Sequence, residues 1–231
     1  MVYVILFKPK ESGNVGAVAR VMKNFGFENL VLINPCCSHI TEEAKCRAKH
    51  AQDVLINAKT TDESFFDNID YLIGTTARLA SNESNIPRIF ITPEELAQKL
   101  SKKTRAGIIF GPEDSGLSNK EIEKCDILVN IPANKKYSSL NISHSVCVML
   151  YELSKIKHNT NRPKPANRYY INNIMDYLSF ALDTLPFASK EKKETQMKTW
   201  KRILGRAQIT KSEAFVIFGF LKKLCRQLKK E

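Results

Sequence analysis

The stretch YSSLNISHSVCVMLYEL, residues 137–153, sets two hydroxyls, Ser139 and Ser143, beside Asn141 and a candidate base, His144. A serine nucleophile needs a base aligned with it and a third group orienting that base. An α/β hydrolase would also carry a G-x-S-x-G turn and a distant acid and histidine. The chain has no such turn here. His144 falls within the first turn of the following helical pattern, too local to align with Ser139. The pattern instead suits helix capping, with Ser139 or Asn141 satisfying the free N–H groups of the helix start.

Two other stretches combine turn residues with charge. In SGNVGAVAR, residues 12–20, Gly13 and Gly16 permit a tight turn and close backbone approach, and Asn14 is placed to cap a helix. Arg20 follows about 1.5 turns into that helix. Its setting among Ala17, Val18 and Ala19 is unusual for a solvated charge, although an arginine on an amphipathic surface would fit the same pattern. In IIFGPEDSGLS, residues 108–118, a buried strand runs into a loop with two glycines, a proline and two acids. A helix then opens at Ser118 or Asn119. Gly111 would let a ligand approach the chain, and Glu113 stands at a strand end where it could pair with an arginine. Neither G-x-G-x-x-G nor G-x-x-x-x-G-K occurs, which excludes the usual dinucleotide and P-loop signatures.

These residues need elements to position them. Short runs rich in Val, Ile and Leu lie at residues 2–7, 30–33, 71–75, 107–110 and 127–131. They are continuous rather than alternating, as expected of parallel strands buried on both faces. Helical patterns fall between them at residues 15–25, 42–57, 93–101, 119–124 and 139–157. The predicted fold is an open α/β sheet, mostly parallel. Ligands bind such sheets outside the carboxyl ends of the strands, which is where all three stretches lie. The segment HNTNRPKPAN, residues 158–167, is polar, holds two prolines and is expected to be extended and exposed. It separates a body of residues 1–157 from an all-α extension of residues 169–231, with the linker taken as 158–168. The extension shows three helical patterns at residues 169–182, 190–204 and 211–228.

Charge divides the chain at the same place. Residues 1–154 carry 18 basic and 18 acidic side chains, whereas residues 155–231 carry 18 and 6, so the whole net charge of +12 lies in the last third. A neutral body with a basic arm suggests chemistry in one and binding of a polyanion, nucleic acid above all, by the other. The six cysteines show no C-x-x-C spacing, and the Cys46–His50 pair matches no ligand pattern, so no metal is expected. No apolar run approaches a membrane span, and the first residues lack the features of a signal peptide; a cytoplasmic protein is expected.

Taken together the three stretches resemble the three motifs of the SpoU branch of the SPOUT methyltransferases. Asn14, Gly16, Ala19 and Arg20 match N-x-G-x-x-A-R; Phe110, Gly111, Glu113, Gly116 and Leu117 match F-G-x-E-x-x-G-L. Ile131 and Pro132, then Ser139, Leu140 and Asn141, and finally Tyr151 and Glu152, match the third. The early first motif, the GTTAR at residues 74–78 and the helical extension look most like the TrmJ-type tRNA 2′-O-methyltransferases.

The resemblance implies a C-terminal trefoil knot in the sheet, a homodimer with its active site at the subunit interface, and S-adenosylmethionine as methyl donor. The reaction implied is methylation of a ribose 2′-hydroxyl of tRNA at anticodon-loop nucleotide 32, on cytidine, uridine or both. Carried over by motif, the cofactor would lie against Thr75, Thr76, Ala77, Arg78, Gly111, Glu113, Gly116, Ile131, Ser138, Ser139 and Leu140. Arg20 would be the catalytic residue, oriented by Glu113, with Asn14 and Ser139 positioning the ribose and Asn141 fixing the knot loop. The basic extension would supply phosphate contacts, with Tyr169, Tyr170 and Trp200 available to stack on bases. The competing readings are methylation of ribosomal RNA or of another tRNA site on the same fold, and a non-catalytic RNA-binding protein.

Overall fold

The computed structural model describes residues 1–77, 90–100, 104–155, 165–184 and 190–228. The body runs β1 (Val2–Phe7), α1 (Ser12–Asn24), β2 (Leu30–Ile33), α2 (Glu42–Ala48), α3 (Gln52–Ile56), β3 (Lys59–Thr61), β4 (Tyr71–Thr75) and β5 (Phe90–Ile91). It continues with α4 (Pro93–Lys99), β6 (Ala106–Phe110), α5 (Asn119–Lys124), β7 (Ile127–Val129) and α6 (Ile142–Ser154). The seven strands form one sheet in the order β3-β2-β1-β6-β4-β7-β5, and every pairing in it is parallel.

The five expected strands are all present. Alternation along β1 explains why they read as continuous apolar runs. Val4 and Leu6 join the core on one face, with α1 and α6, while Ile5 and Phe7 join a second core on the other. Both faces are therefore covered, as parallel sheets require. The two strands absent from the sequence reading, β3 and β5, are three and two residues long and occupy the two edges. Segments that short carry no periodicity to detect, and short edge strands also limit unwanted pairing.

Helix starts differ from the expectation in ways that bear on the site. α1 begins at Ser12 with Glu11 as its N-cap, so Asn14 lies inside the first turn and is not the cap. Gly13 and Gly16 therefore make no turn. A Cβ on Gly16 would come 2.1 Å from the backbone oxygen of Ala44, so this glycine lets α1 and α2 cross closely. The expected helix over 42–57 is broken by Lys49, at φ 54°, into α2, a short 3-10 turn and α3. α6 begins at Ile142, capped by Asn141 and not by Ser139.

The extension comprises α7 (Arg168–Thr184), α8 (Lys190–Ala207) and α9 (Lys211–Leu228), packed around Ile171, Ile174, Leu178, Leu204, Ala214 and Leu221. It is docked on the body and not strung from it. Arg168 Nη1 donates to Asp126 Oδ1 at 3.0 Å, and its Nε donates to the Ile69 carbonyl at 3.3 Å. Lys201 donates to the Lys124 carbonyl at 2.9 Å, at the C-terminus of α5. The expected exposed linker lies mostly outside the described residues. Its described end is buried: Ala166 donates its N–H to the Ile209 carbonyl, and Pro165 bridges Thr210. Among the described residues no helix is long and apolar enough to cross a membrane.

Candidate active site

The loops after β4, β6 and β7 converge at the carboxyl edge of the sheet around one cleft. Thr75, Thr76 and Ala77 line it from β4, Gly111 to Leu117 from β6, and Ile131 with Ser138, Ser139 and Leu140 from the third loop. Every residue expected to face a cofactor lines this cleft except Arg78, which lies outside the described residues. The cleft is open to solvent and has a cavity volume of about 150 Å³.

Backbone ties preset its walls. Thr75 Oγ1 donates to the Ile109 carbonyl at 3.0 Å, and the Thr76 N–H donates to the Val129 carbonyl at 3.0 Å. Asn130 Nδ2 donates to the Thr76 carbonyl at 2.8 Å, locking the end of β7 to the end of β4. Asn130 was not singled out from the sequence. Its signal was a lone amide in the apolar run ILVNI, where an unpaired polar group would be costly. Gly111 serves the loop itself: a Cβ there would sit 2.3 Å from the Gly116 carbonyl carbon and the Leu117 nitrogen. Gly116, at φ 67°, takes the left-handed conformation that closes the turn.

The three motifs meet in a hydrogen-bond network. Glu113 Oε2 accepts from the Lys10 N–H at 3.0 Å, and Oε1 accepts from the Glu11 N–H at 3.3 Å. Oε1 also accepts from Asn14 Nδ2 at 3.3 Å. Asn141 Nδ2 donates to Asn14 Oδ1 at 3.1 Å, while Asn141 Oδ1 accepts from the Ser143 N–H at 2.9 Å. Asn141 thus caps α6 and ties it to α1 in one step. Beside the network Lys10 pairs with Asp114 at 2.6 Å, and each raises or lowers the other's pKa toward the charged form. Cys37 lies near the same carboxylate; burial first, then Glu113, pushes its thiol up, so it remains protonated and a poor nucleophile.

Arg20 stands apart. It is exposed, and among the described residues it makes no hydrogen bond or ion pair. Six residues beyond Asn14, it lies about 9 Å further along α1 and on a different face. The oxygens of Glu113 go to Lys10, Glu11 and Asn14, so the expected pairing of Glu113 with Arg20 is not formed within the single chain. Ser139 is exposed at the cleft, and His144 is exposed on α6 while Ser143 Oγ donates to Asn141, so no Ser–His pair is assembled.

This arrangement can grip an elongated ligand between three strand-end loops while holding an asparagine pair at its rim. The SpoU rRNA Methylase family profile matches residues 1–151. Among curated proteins, the tRNA (cytidine-2'-O-)-methyltransferase TrmJ of Methanocaldococcus jannaschii is 40% identical over 230 residues, covering 96% of this chain and 99% of its own length. The protein of the same name from Sulfolobus acidocaldarius is 31% identical over 230 residues, covering 99% and 95%. Among solved structures, TrmJ from Z. mobilis ZM4 superposes with a TM-score of 0.74 at 27% identity, covering 97% of this chain and 99% of that one. With its motifs joined at the carboxyl edge of a parallel sheet and its first 151 residues matched throughout, the chain belongs to the SpoU rRNA methylase family.

Proposed function

We propose that this SpoU-family methylase transfers a methyl group from S-adenosylmethionine to a ribose 2′-hydroxyl of tRNA, at nucleotide 32 of the anticodon loop, on cytidine, uridine or both. The observation that carries the reading is the meeting of Asn14, Glu113 and Asn141, one from each motif, at the rim of a three-loop cleft. Similarity over nearly the full length to a tRNA (cytidine-2'-O-)-methyltransferase supports tRNA as substrate. The interleaving of β5, β6 and β7 around β4 is in keeping with the trefoil knot of the SPOUT fold. A homodimer is part of the reading, because the single chain leaves Arg20 away from the asparagine pair. The basic extension, residues 169–231, is the RNA-binding arm, and the protein works in the cytoplasm with its substrate.

Bound in the cleft, S-adenosylmethionine supplies an electrophilic methyl group on a sulfonium. The chain's own residues bring the hydroxyl into line and deal with its proton. Asn14 donates to Glu113 and Glu11 and accepts from Asn141, which leaves one lone pair of its fixed Oδ1 to position the ribose, together with Ser139. Arg20 binds the adjoining phosphate and polarises the hydroxyl. An arginine ordinarily keeps its proton below about pH 12, so it deprotonates the hydroxyl only if a nearby cationic group lowers that value; otherwise the substrate phosphate takes the proton. Glu113 acts one step back, pinning the turn before α1 through the Lys10 and Glu11 N–H groups.

The direct test is mass mapping of 2′-O-methylation on total tRNA incubated with the protein and labelled S-adenosylmethionine. Label at nucleotide 32 is expected. Label confined to ribosomal RNA or to another tRNA position would overturn the site assignment, and no transfer to any RNA would leave a non-catalytic binder. A second test addresses the cleft. Gly111→Ala should weaken S-adenosylmethionine binding by at least tenfold, because the new methyl collides with loop backbone that cannot yield as a side chain does. Calorimetric titration reads this, and wild-type affinity would show that the loop is not part of the cofactor site.

A further inference from the structure

The extension carries an outward face that its own core does not use. On α9, 3.6 residues per turn bring Lys211, Phe215, Lys222 and Arg226 onto about a quarter of the helix circumference, with Gly219 at its margin. All four are exposed, Phe215 at 52%, whereas Ala214, Leu221 and Cys225 fall on a different arc and are buried. The start of α7 adds two rings. Tyr169, 68% exposed, meets Tyr170 at 5.5 Å, and Tyr170 meets Phe215 at 5.3 Å between ring centroids. Lys211 Nζ stands 5.6 Å from the Tyr170 ring and 5.8 Å from that of Phe215.

Gly219 is the second observation. Glycine weakens the middle of a helix, and elsewhere in this chain a close approach explains it. A Cβ on Gly16 or Gly205 would strike backbone within 2.1 or 2.5 Å, but one on Gly219 meets nothing within 4 Å. The bare backbone at Gly219 has no internal use and leaves room beside Phe215 for something from outside.

We infer that this face is a docking platform for RNA: an unstacked base lies against Tyr169 and Phe215, while Lys211, Lys222 and Arg226 meet phosphates. Aromatic faces among cations are what sequence-tolerant stacking of bases requires, and the whole +12 of the chain lies in residues 155–231. A second copy of the same face is disfavoured, since a two-fold contact would set three cations against three cations. The platform is remote from the cleft of its own subunit. Arg168, next to Tyr169, is bound to Ile69 and Asp126 at the amino ends of β4 and β7, whereas the cleft lies at their carboxyl ends. The length of β4 puts on the order of 15 Å between the two. The base held here is therefore not the nucleotide being methylated by that subunit, but an anchor elsewhere on the tRNA. The inference rests on the tRNA reading above and adds the surface that holds the RNA.

The test uses the full-length chain and a fluorescently labelled tRNA transcript, with affinity read by anisotropy across a salt series. Tyr169→Ala and Phe215→Ala should each weaken binding roughly tenfold, with S-adenosylmethionine affinity and melting temperature unchanged, and Tyr169→Phe should restore it. Lys211→Ala should lower the salt slope by about 1. Gly219→Glu should preserve or raise the melting temperature and yet weaken tRNA binding. Wild-type tRNA affinity in the aromatic and Gly219 variants would overturn the platform. So would a change in sedimentation of the RNA-free protein, which would mean that a second copy covers the face. Because binding is read without methyl transfer, a protein that binds tRNA through this face yet transfers no methyl group supports the platform while refuting the catalytic reading.

Discussion

Arg20→Ala is expected to lower methyl transfer to tRNA by roughly 10³-fold, the scale of losing a positioned group that handles a proton, while leaving the fold and cofactor binding intact. The separation of effects follows from where the residue sits. Arg20 is exposed on α1 and is bonded to nothing among the described residues, so truncating it removes no interaction on which the fold depends. Surface substitutions of that kind change stability by no more than about 0.5 kcal/mol. The cleft is lined by other residues, so S-adenosylmethionine affinity should stay within about twofold. Arg20→Lys should recover only a small part of the rate, because an ammonium lacks the planar fork that binds a phosphate in two places. Single-turnover transfer assays, with calorimetric binding as control, read both effects. Near-full transfer by Arg20→Ala would remove the residue from the chemistry.

Arg168→Ala is expected to be the most damaging single change to stability outside the core. Asp126 is 4% exposed, with Oδ2 accepting from the Leu72 N–H at 2.8 Å and Oδ1 from Arg168. Removing the arginine strands a buried carboxylate, a loss of about 3 kcal/mol or more. For a chain of this size that lowers the melting temperature by roughly 6–12 °C. The same burial, with Asp126 adjacent, pushes the Cys125 thiol up to about 12, a measure of how poorly that corner tolerates negative charge. Added salt should change the loss little, since a buried pair is weakly screened. A shift of less than ~1 °C in a thermal melt would show that Asp126 finds water or another donor. A chain ending at Lys155 would suffer the same defect, so removing the extension tests RNA binding and stability together; point substitutions on α9 are the cleaner probe.

The strands were legible because burial on both faces writes itself as unbroken apolar runs, as in residues 2–7 and 107–110. β3 and β5 were not, because two or three residues at a sheet edge have no period. The ends of helices proved harder than their middles. Asn14, just after Gly13, suggests a cap, but Glu11 is the N-cap and Asn14 bonds sideways to another motif. In the sequence Gly13 and Gly16 suggest a tight turn with close backbone approach, and Gly111 suggests room for a ligand. In the structure Gly16 makes room for α2, and Gly111 for its own loop.

The sequence by itself determined the parallel α/β class, the division into neutral body and basic arm, and the three strand-end segments that meet at the candidate site. Those depend on hydrophobic period, charge count and residue type, all local properties. Only the tertiary structure decided which polar groups meet. Asn14 and Asn141 are 127 residues apart, and Glu113 reaches the turn before α1 across 103. Their contact arises because β1 and β6 are neighbours in the sheet and α1 packs on α6. The structure also moved Arg20 away from Glu113 and set the aromatic face of the arm at the opposite edge of the sheet from the cleft. Partners of a side chain follow from strand order and helix crossing, which no local stretch encodes.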